Sequence, residues 1–390
     1  MNVPIPLLGL AVLSIGCAAS GAAELPPLRV RPQTIDPAIQ IGYGLAIADV
    51  DGDGRDDILL ADAKQIVWYR NPTWQKFVMA EQLTERDNVC IAARDLDGDG
   101  KAEVAVGAGW NPSDTTNSGA VFLLEPASDR TQRWTAKKLP HDPTTHRMHW
   151  LRDRDGKFSL AVLPLHGRGN RAGKGAGVRL LGYAWPGREA NQPEPIFSET
   201  DALHQTHNFD PNPDGSLLVA TAEGIRAFER KGGGWESAVL TTLPAGEVRT
   251  GRLKGGARFV AAIEPMHGNS LAVYPIDRGT AGDATPRRVL LDESLVQGHA
   301  LATGDLLGVG GDQIVAGWRG GTPGAKVGIR LFAAADTSGR TWRMHALVDD
   351  NRMACEDLRL ADLNGDGKLD IIAAGRATRN VIVYWNEGAR

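Results

Sequence analysis

Short apolar runs alternate with polar, glycine-rich turns along the chain, a pattern that predicts β-strands rather than helices. Four such runs open it: Gly44 to Val50, Asp57 to Ala61, Gln65 to Arg70 and Lys76 to Gln82. Between the first two lies an acidic glycine loop with Asp49, Asp51, Asp53 and Asp57 at alternating places. Near copies carry Asp95, Asp97, Asp99 and Glu103, and then Asp362, Asn364, Asp366 and Asp370. Each copy follows one apolar run and precedes another, such as Ile371-Ile372-Ala373. The unit is a hairpin whose turn carries carboxylates.

Weaker copies fill the gap between the second and third. Asp153 and Asp155 mark one, and Asp210, Asn212 and Asp214 another. Thr250 to Gly256 keeps only the glycines, and Asp305 to Asp312 keeps the flanking runs. Equivalent positions fall near 49, 95, 151, 210, 250, 305 and 362. The mean period of about 52 residues lies in the range of propellers and arrays. Six units hold four runs, but the last holds three: Leu358 to Asp362, Leu369 to Ala374 and Asn380 to Trp385. A spare run, Leu28 to Thr34, supplies the missing strand, and closing the ring this way removes an exposed sheet edge. The reading is an all-β, seven-bladed β-propeller with four-stranded blades, one domain over residues 24–390.

Residues 1–23 read differently. Val3 to Ile15 is almost wholly apolar, and small residues run from Gly16 to Ala23. The stretch is too short to span a bilayer and reads as a secretory signal peptide, although its start lacks Lys and Arg. Export to the periplasm or cell exterior is the expectation, with Cys17 a candidate for lipidation. Beyond it only Cys90 and Cys355 remain, which an exported protein could pair but which are too few for a disulfide scaffold and are expected as buried free thiols.

Composition sharpens this picture. Glycine numbers 47 among 390 residues, well above the usual ~7%, without a collagen-like period. The turns of the repeat account for many of them. A net charge of -4 gives no basic footprint for nucleic acid. No apolar run is long enough to span a membrane, and oligomeric state is left open.

Oxygen donors at relative positions 1, 3, 5 and 9, with glycine at 6, suit wrapping of a hard cation such as calcium. The three full loops satisfy this, so about three structural calcium sites are expected. Position 12 is Leu60, Val106 or Ala373 and the flanks read as strands, which excludes EF-hands. These hairpins and their period resemble FG-GAP/VCBS repeats, as found in integrin-type propellers and exported bacterial proteins. The resemblance covers roughly residues 28–390 and implies the propeller and its calcium. The family's functions run from adhesion to lyase chemistry, so fold alone does not assign one.

Candidate chemistry gathers on the face opposite the acidic loops, where the first strand of each blade begins. His146 and His149 open blade three, His204 and His207 blade four, His299 blade six, Glu356 blade seven and Tyr43 blade one. His166 follows the second strand of blade three, and Glu264 and His267 that of blade five; His141 sits in a link on this face. Only His345 falls on an outer strand. Residues three apart in a strand face opposite sides, so each His-x-x-His pair is expected to offer one side chain to the channel. Histidine is a common ligand for zinc and similar metals and a ready acid or base, so a second divalent metal is a candidate cofactor here. Trp110, Trp318, Arg319 and Arg376 share this face, and aromatic planes beside guanidinium groups suit a sugar.

Two functions compete. In one, a metal-assisted lyase or dehydratase acts on a keto-sugar or glycan. His149, His207, His146, His267 and Glu264 are the catalytic candidates. His204, His299, His166, Trp110, Trp318, Arg319, Arg376, Glu356 and Tyr43 would bind substrate. The chain here resembles the propeller of the aldos-2-ulose dehydratase class of enzymes. In the other, a non-catalytic propeller binds a glycan or a protein partner at the cell envelope.

Overall fold

The structure is a computed structural model that describes residues 27–389, apart from 154, 186–192, 199–202, 232–233, 277–285 and 323. The expected signal segment and Cys17 lie outside the described residues. Seven four-stranded antiparallel sheets make up the fold. Blades one to six take their strands in chain order, within residues 44–81, 90–139, 145–198, 206–241, 247–292 and 298–348. Blade seven joins Cys355–Ala361, Asp370–Gly375 and Asn380–Ala389 to Leu28–Asp36, the outermost strand. The ring is thus closed by both ends of the propeller, as the three-strand ending predicts.

Second strands such as Asp57–Ala61, Leu217–Thr221 and Asp370–Gly375 are buried throughout because neighbouring blades cover both their faces. Fourth strands such as Trp342–Val348 alternate with solvent. Buried apolar side chains form one core in each of the seven gaps between adjacent blades. Trp68 belongs to the core between blades one and two, where it stacks on Phe77. Trp385 packs between blades seven and one and donates Nε1–H to Gln33. Cys90 and Cys355 are free and buried in different blades, as expected.

The first strands are the innermost, and each packs on the next until that of blade seven meets that of blade one. They run toward the acidic loops, so their beginnings surround the opposite mouth. Four of them break register at the second residue. Pairing skips His146 in Thr145–Arg152, His207 in Thr206–Pro211, His299 in Gly298–Gly304 and Glu356 in Cys355–Ala361. A bulge of this kind leaves one residue outside the ladder and re-aims its side chain.

Candidate functional site

The bulged residues build the mouth. His207, His267 and His299 bring one ring nitrogen each within 4.8 Å of the others. His207 Nε2 and His267 Nε2 lie 3.0 Å apart. That is a hydrogen-bond distance between the rings, and it is also near the roughly 3.3 Å that separates two nitrogens sharing a tetrahedral zinc with ordinary bond lengths. His267 reaches the group from the turn after the second strand of blade five, with a left-handed φ of 53°.

Hydrogen bonds behind the rings fix which nitrogen faces the mouth. His207 Nδ1 lies 3.0 Å from the Gly246 carbonyl and 3.0 Å from Glu247 Oε1, and His299 Nδ1 lies 2.6 Å from the Glu356 carbonyl. Each Nδ1–H is therefore the donor, which leaves the Nε2 lone pairs for the centre of the cluster. Burial, joined by the Arg319 and Arg147 guanidiniums, holds His299 well below the usual imidazole range. Burial, then His207 and Arg319, takes His267 down to about 3. Burial also lowers His207, although Glu247 opposes it. These rings are neutral at physiological pH, the form in which imidazole ligates.

The surroundings are charged and ordered. His146 stacks on Trp110 with ring centres 4.9 Å apart, lies 4.7 Å from His207, and donates Nδ1–H to the His207 carbonyl at 2.8 Å. Arg319 and Arg376 grip the buried Glu356 carboxylate at 2.7 and 2.9 Å, and an Arg319 nitrogen stands 3.3 Å from His267 Nδ1. Tyr43 lies under the Arg376 guanidinium and donates to Asp87 at 3.1 Å. Burial and Asp87 push its hydroxyl up to about 12. Beside these groups, a recess of 720 Å³ opens between blades six and seven, with Gln297, Arg319 and Arg376 in its wall.

Other candidates stand elsewhere. Trp318 is buried in the core between blades five and six, donates Nε1–H to the Lys326 carbonyl and carries Arg330 over its ring, so it offers no face to the mouth. Glu264 is buried with its carboxylate bound to Tyr274 and Arg288, outside the histidine trio. His149 lies deeper in the channel, edge-on to Phe209, beside a cavity of 330 Å³. It nevertheless shares its strand with His146. The bulge breaks the two-residue alternation, which is why the expectation of one presented side chain per pair fails in blade three. His204 and His166 hold a loop together through Asn170 and the His204 carbonyl, and His141 meets the Asp142 carbonyl.

Glu247, Arg147 and Arg249 were missing from the sequence reading. Glu247 opens the innermost strand of blade five in regular register, next to Gly246, whose carbonyl takes the His207 Nδ1–H.

At the opposite face, Asp49, Asp51 and Asp53 bring carboxylate oxygens within 4.8 Å of one another, as do Asp95, Asp97 and Asp99. Asp49 is held by Gly52 and Gly54 N–H, Asp95 by Gly98 and Gly100, and Asp362 by Gly365 and Gly367. Asp51 Oδ1 is buried without a hydrogen-bond donor, while Arg70 lies 2.7 Å from its other oxygen. An all-oxygen set with an orphaned buried carboxylate oxygen fits a hard cation. The fourth member of each set sits at the loop's neck: Asp57 accepts from Val50 and Asn71 N–H, Glu103 from Leu96, and Asp370 from Leu363 and Asn386. Burial pushes Asp57 up to about 7 against those donors.

Residues 49–106 match the family model for the FG-GAP-like repeat, and residues 91–124 that for the FG-GAP repeat. Residues 49–124 carry FG-GAP repeats. The propeller superposes on an ancestral GH74 enzyme with a TM-score of 0.64 at 9% identity, covering 91% of this chain and 49% of that one. A chain of the mitotic checkpoint complex gives 0.59 at 11% identity with 99% of each covered. Virginiamycin B lyase from Staphylococcus aureus gives 0.54 at 10% identity, with 92% and 99% covered. At these identities the likeness is one of fold. Comparison with curated proteins finds no match. The third full loop, at Asp362, Asn364 and Asp366, lies outside the matched residues yet has the same backbone clasp.

Proposed function

We propose that this FG-GAP propeller is an exported, calcium-stabilised carbon–oxygen lyase that eliminates an oxygen substituent from a sugar or glycan, assisted by a divalent metal. The observation that carries the reading is the convergence of His207, His267 and His299, with the Nδ1 groups of His207 and His299 tied back and one nitrogen of each ring turned inward. Three neutral nitrogens with further room beside them suit a catalytic rather than a closed structural metal site. Zinc or a similar ion held there would act as a Lewis acid on a substrate carbonyl.

The chain's own residues would do the rest. Arg319 and Arg376 orient the substrate beside the trio, and Trp110 offers an aromatic face. His146, neutral because burial and Arg147 depress it, removes the proton on the carbon next to the carbonyl through Nε2, once the substrate draws away the Arg147 N–H that Nε2 otherwise accepts. The C–H electron pair becomes the new C=C bond as the neighbouring C–O bond breaks. The same imidazole then returns the proton to the departing oxygen, so no oxidant or reductant is consumed. The acidic loops would hold calcium at the far face and stiffen the blades rather than take part.

The test is ultraviolet absorbance of the unsaturated product over a panel of keto-sugars and uronides. Wild type is expected to convert at least one member, and His146→Ala to lose about 10²-fold or more in kcat. Full activity in both His146→Ala and His207→Ala would place the chemistry elsewhere. No conversion by metal-loaded wild type favours the binding-module reading.

A further inference from the structure

The channel beneath the histidine trio carries more positive charge than its own carboxylates balance. Arg147 points into it from blade three and makes no ion pair among the described residues; one of its nitrogens lies 3.1 Å from both His146 Nε2 and the His146 carbonyl. Arg249, with a side chain only 13% exposed, donates to the Val248 carbonyl. Its nearest carboxylate, Glu247, is 3.8 Å away and already engaged by Asn208 at 2.6 Å and His207 at 3.0 Å. Arg359 is paired with Asp357 at 2.6 Å, and Arg319 and Arg376 share the single Glu356. With Asp210, half-buried beside Arg249 and accepting from Thr250 N–H at 2.8 Å, five guanidiniums face four carboxylates, while the imidazoles between them are neutral.

Burying a guanidinium without a close counter-charge is expensive, and folded proteins retain it where an anion completes the site. Alternation along the strands sets this up: Arg147 follows the bulged His146, and Arg249 stands two residues after Glu247 on the same side of its strand. The charge of Arg147 reaches every ring of the trio and also His146.

We propose that Arg147 and Arg249 form an anion well that receives the carboxylate of the substrate, so that the sugar is a uronide. This rests on the lyase reading and sharpens it: the carbonyl next to the acidic C–H is the uronate carboxyl group. A guanidinium pair against it neutralises the charge that otherwise makes that C–H hard to deprotonate. The rest of the ring then lies toward the recess at Arg319 and Arg376.

Binding tests this without any turnover. The full chain is titrated calorimetrically with the methyl glycosides of glucuronate, galacturonate and mannuronate, with their methyl esters, and with inorganic phosphate. At least one acid should bind ten-fold or more tightly than its ester. Arg147→Met and, separately, Arg249→Met should each cut the acid's affinity about ten-fold and leave the ester's within two-fold, with Arg147→Lys recovering part of the loss. Equal binding of acid and ester across the panel overturns the proposal, and so does a loss shared by both ligands. Phosphate that binds the well without competing with any uronide would assign it to an inorganic anion and also overturn it. If acids bind as expected but no metal-loaded protein eliminates them, the lyase reading fails while the well stands.

Discussion

Glu247 shows how one side chain can set the chemistry of another. Its Oε1 lies 3.0 Å from His207 Nδ1, and its Oε2 takes the Asn208 amide. Despite burial, His207 and then Arg249 hold its carboxyl down to about 2, so it remains an anion behind the imidazole. Carboxylates behind metal-bound histidines raise ligand basicity, and their loss weakens metal binding by 10–100-fold. Glu247→Gln keeps the shape and an acceptor but removes the charge. Metal titration of this variant should show a dissociation constant about ten-fold or more higher than wild type, with an unchanged fold by circular dichroism. An unchanged constant would mean that the Gly246 carbonyl alone orients His207.

The closing strand, Leu28–Asp36, gives the prediction at the scale of elements. Asp36 ends it, and its buried carboxylate accepts from Tyr69 at 2.7 Å and Lys76 at 2.8 Å, both on blade one, and from Ala38 N–H at 2.9 Å. Burial opposes ionisation, but Lys76, Tyr69 and Ala38 outweigh it, so the folded pKa lies below the ordinary aspartate value. The sign follows from linkage. The latch contributes fully above the unfolded value and is lost as pH falls through the folded one. Hydrogen exchange in residues 28–36 should therefore accelerate below about pH 4 relative to the other outer strands. Asp36→Asn should cost about 1–3 kcal/mol at neutral pH. A melting curve identical to wild type would show that the latch does no work.

The strand order of blade seven was legible because a three-run ending and a spare N-terminal run can be counted. The four bulges were not, since a bulge has no fixed residue signature and shows only as a break in pairing. That is why the sequence placed the histidines on the correct strands yet misjudged how His146 and His149 share one. Trp318 was misplaced for a related reason. An aromatic ending a second strand reads the same whether it faces the mouth or fills the gap between blades, and here packing against Phe332 and Leu295 in that gap decides it.

For the whole molecule, the seven-fold repeat separates two jobs by face. The acidic loops of blades one, two and seven cluster anionic oxygen at one end. The innermost strands of blades three to seven, read from their other end, present His, Glu and Arg at the opposite mouth. Calcium that binds only the folded loops should stabilise by about 2.7 kcal/mol per site at a hundred-fold excess over the dissociation constant. Chelation should therefore lower the melting temperature. Asp51→Asn and Asp97→Asn should each remove part of that response, whereas Asp153→Asn should leave it intact. A melting temperature indifferent to chelator would contradict calcium at these loops.

The measurement closest to the central claim is the metal content of the folded protein after equilibration with zinc and passage over a chelator selective for calcium. The account predicts about one zinc per chain, held by nitrogen ligands at about 2.0–2.1 Å in X-ray absorption. That ion should be lost in His267→Ala, a change on a loop, and in His207→Ala. Folded wild type that retains no zinc, or zinc that persists in both variants, would contradict it.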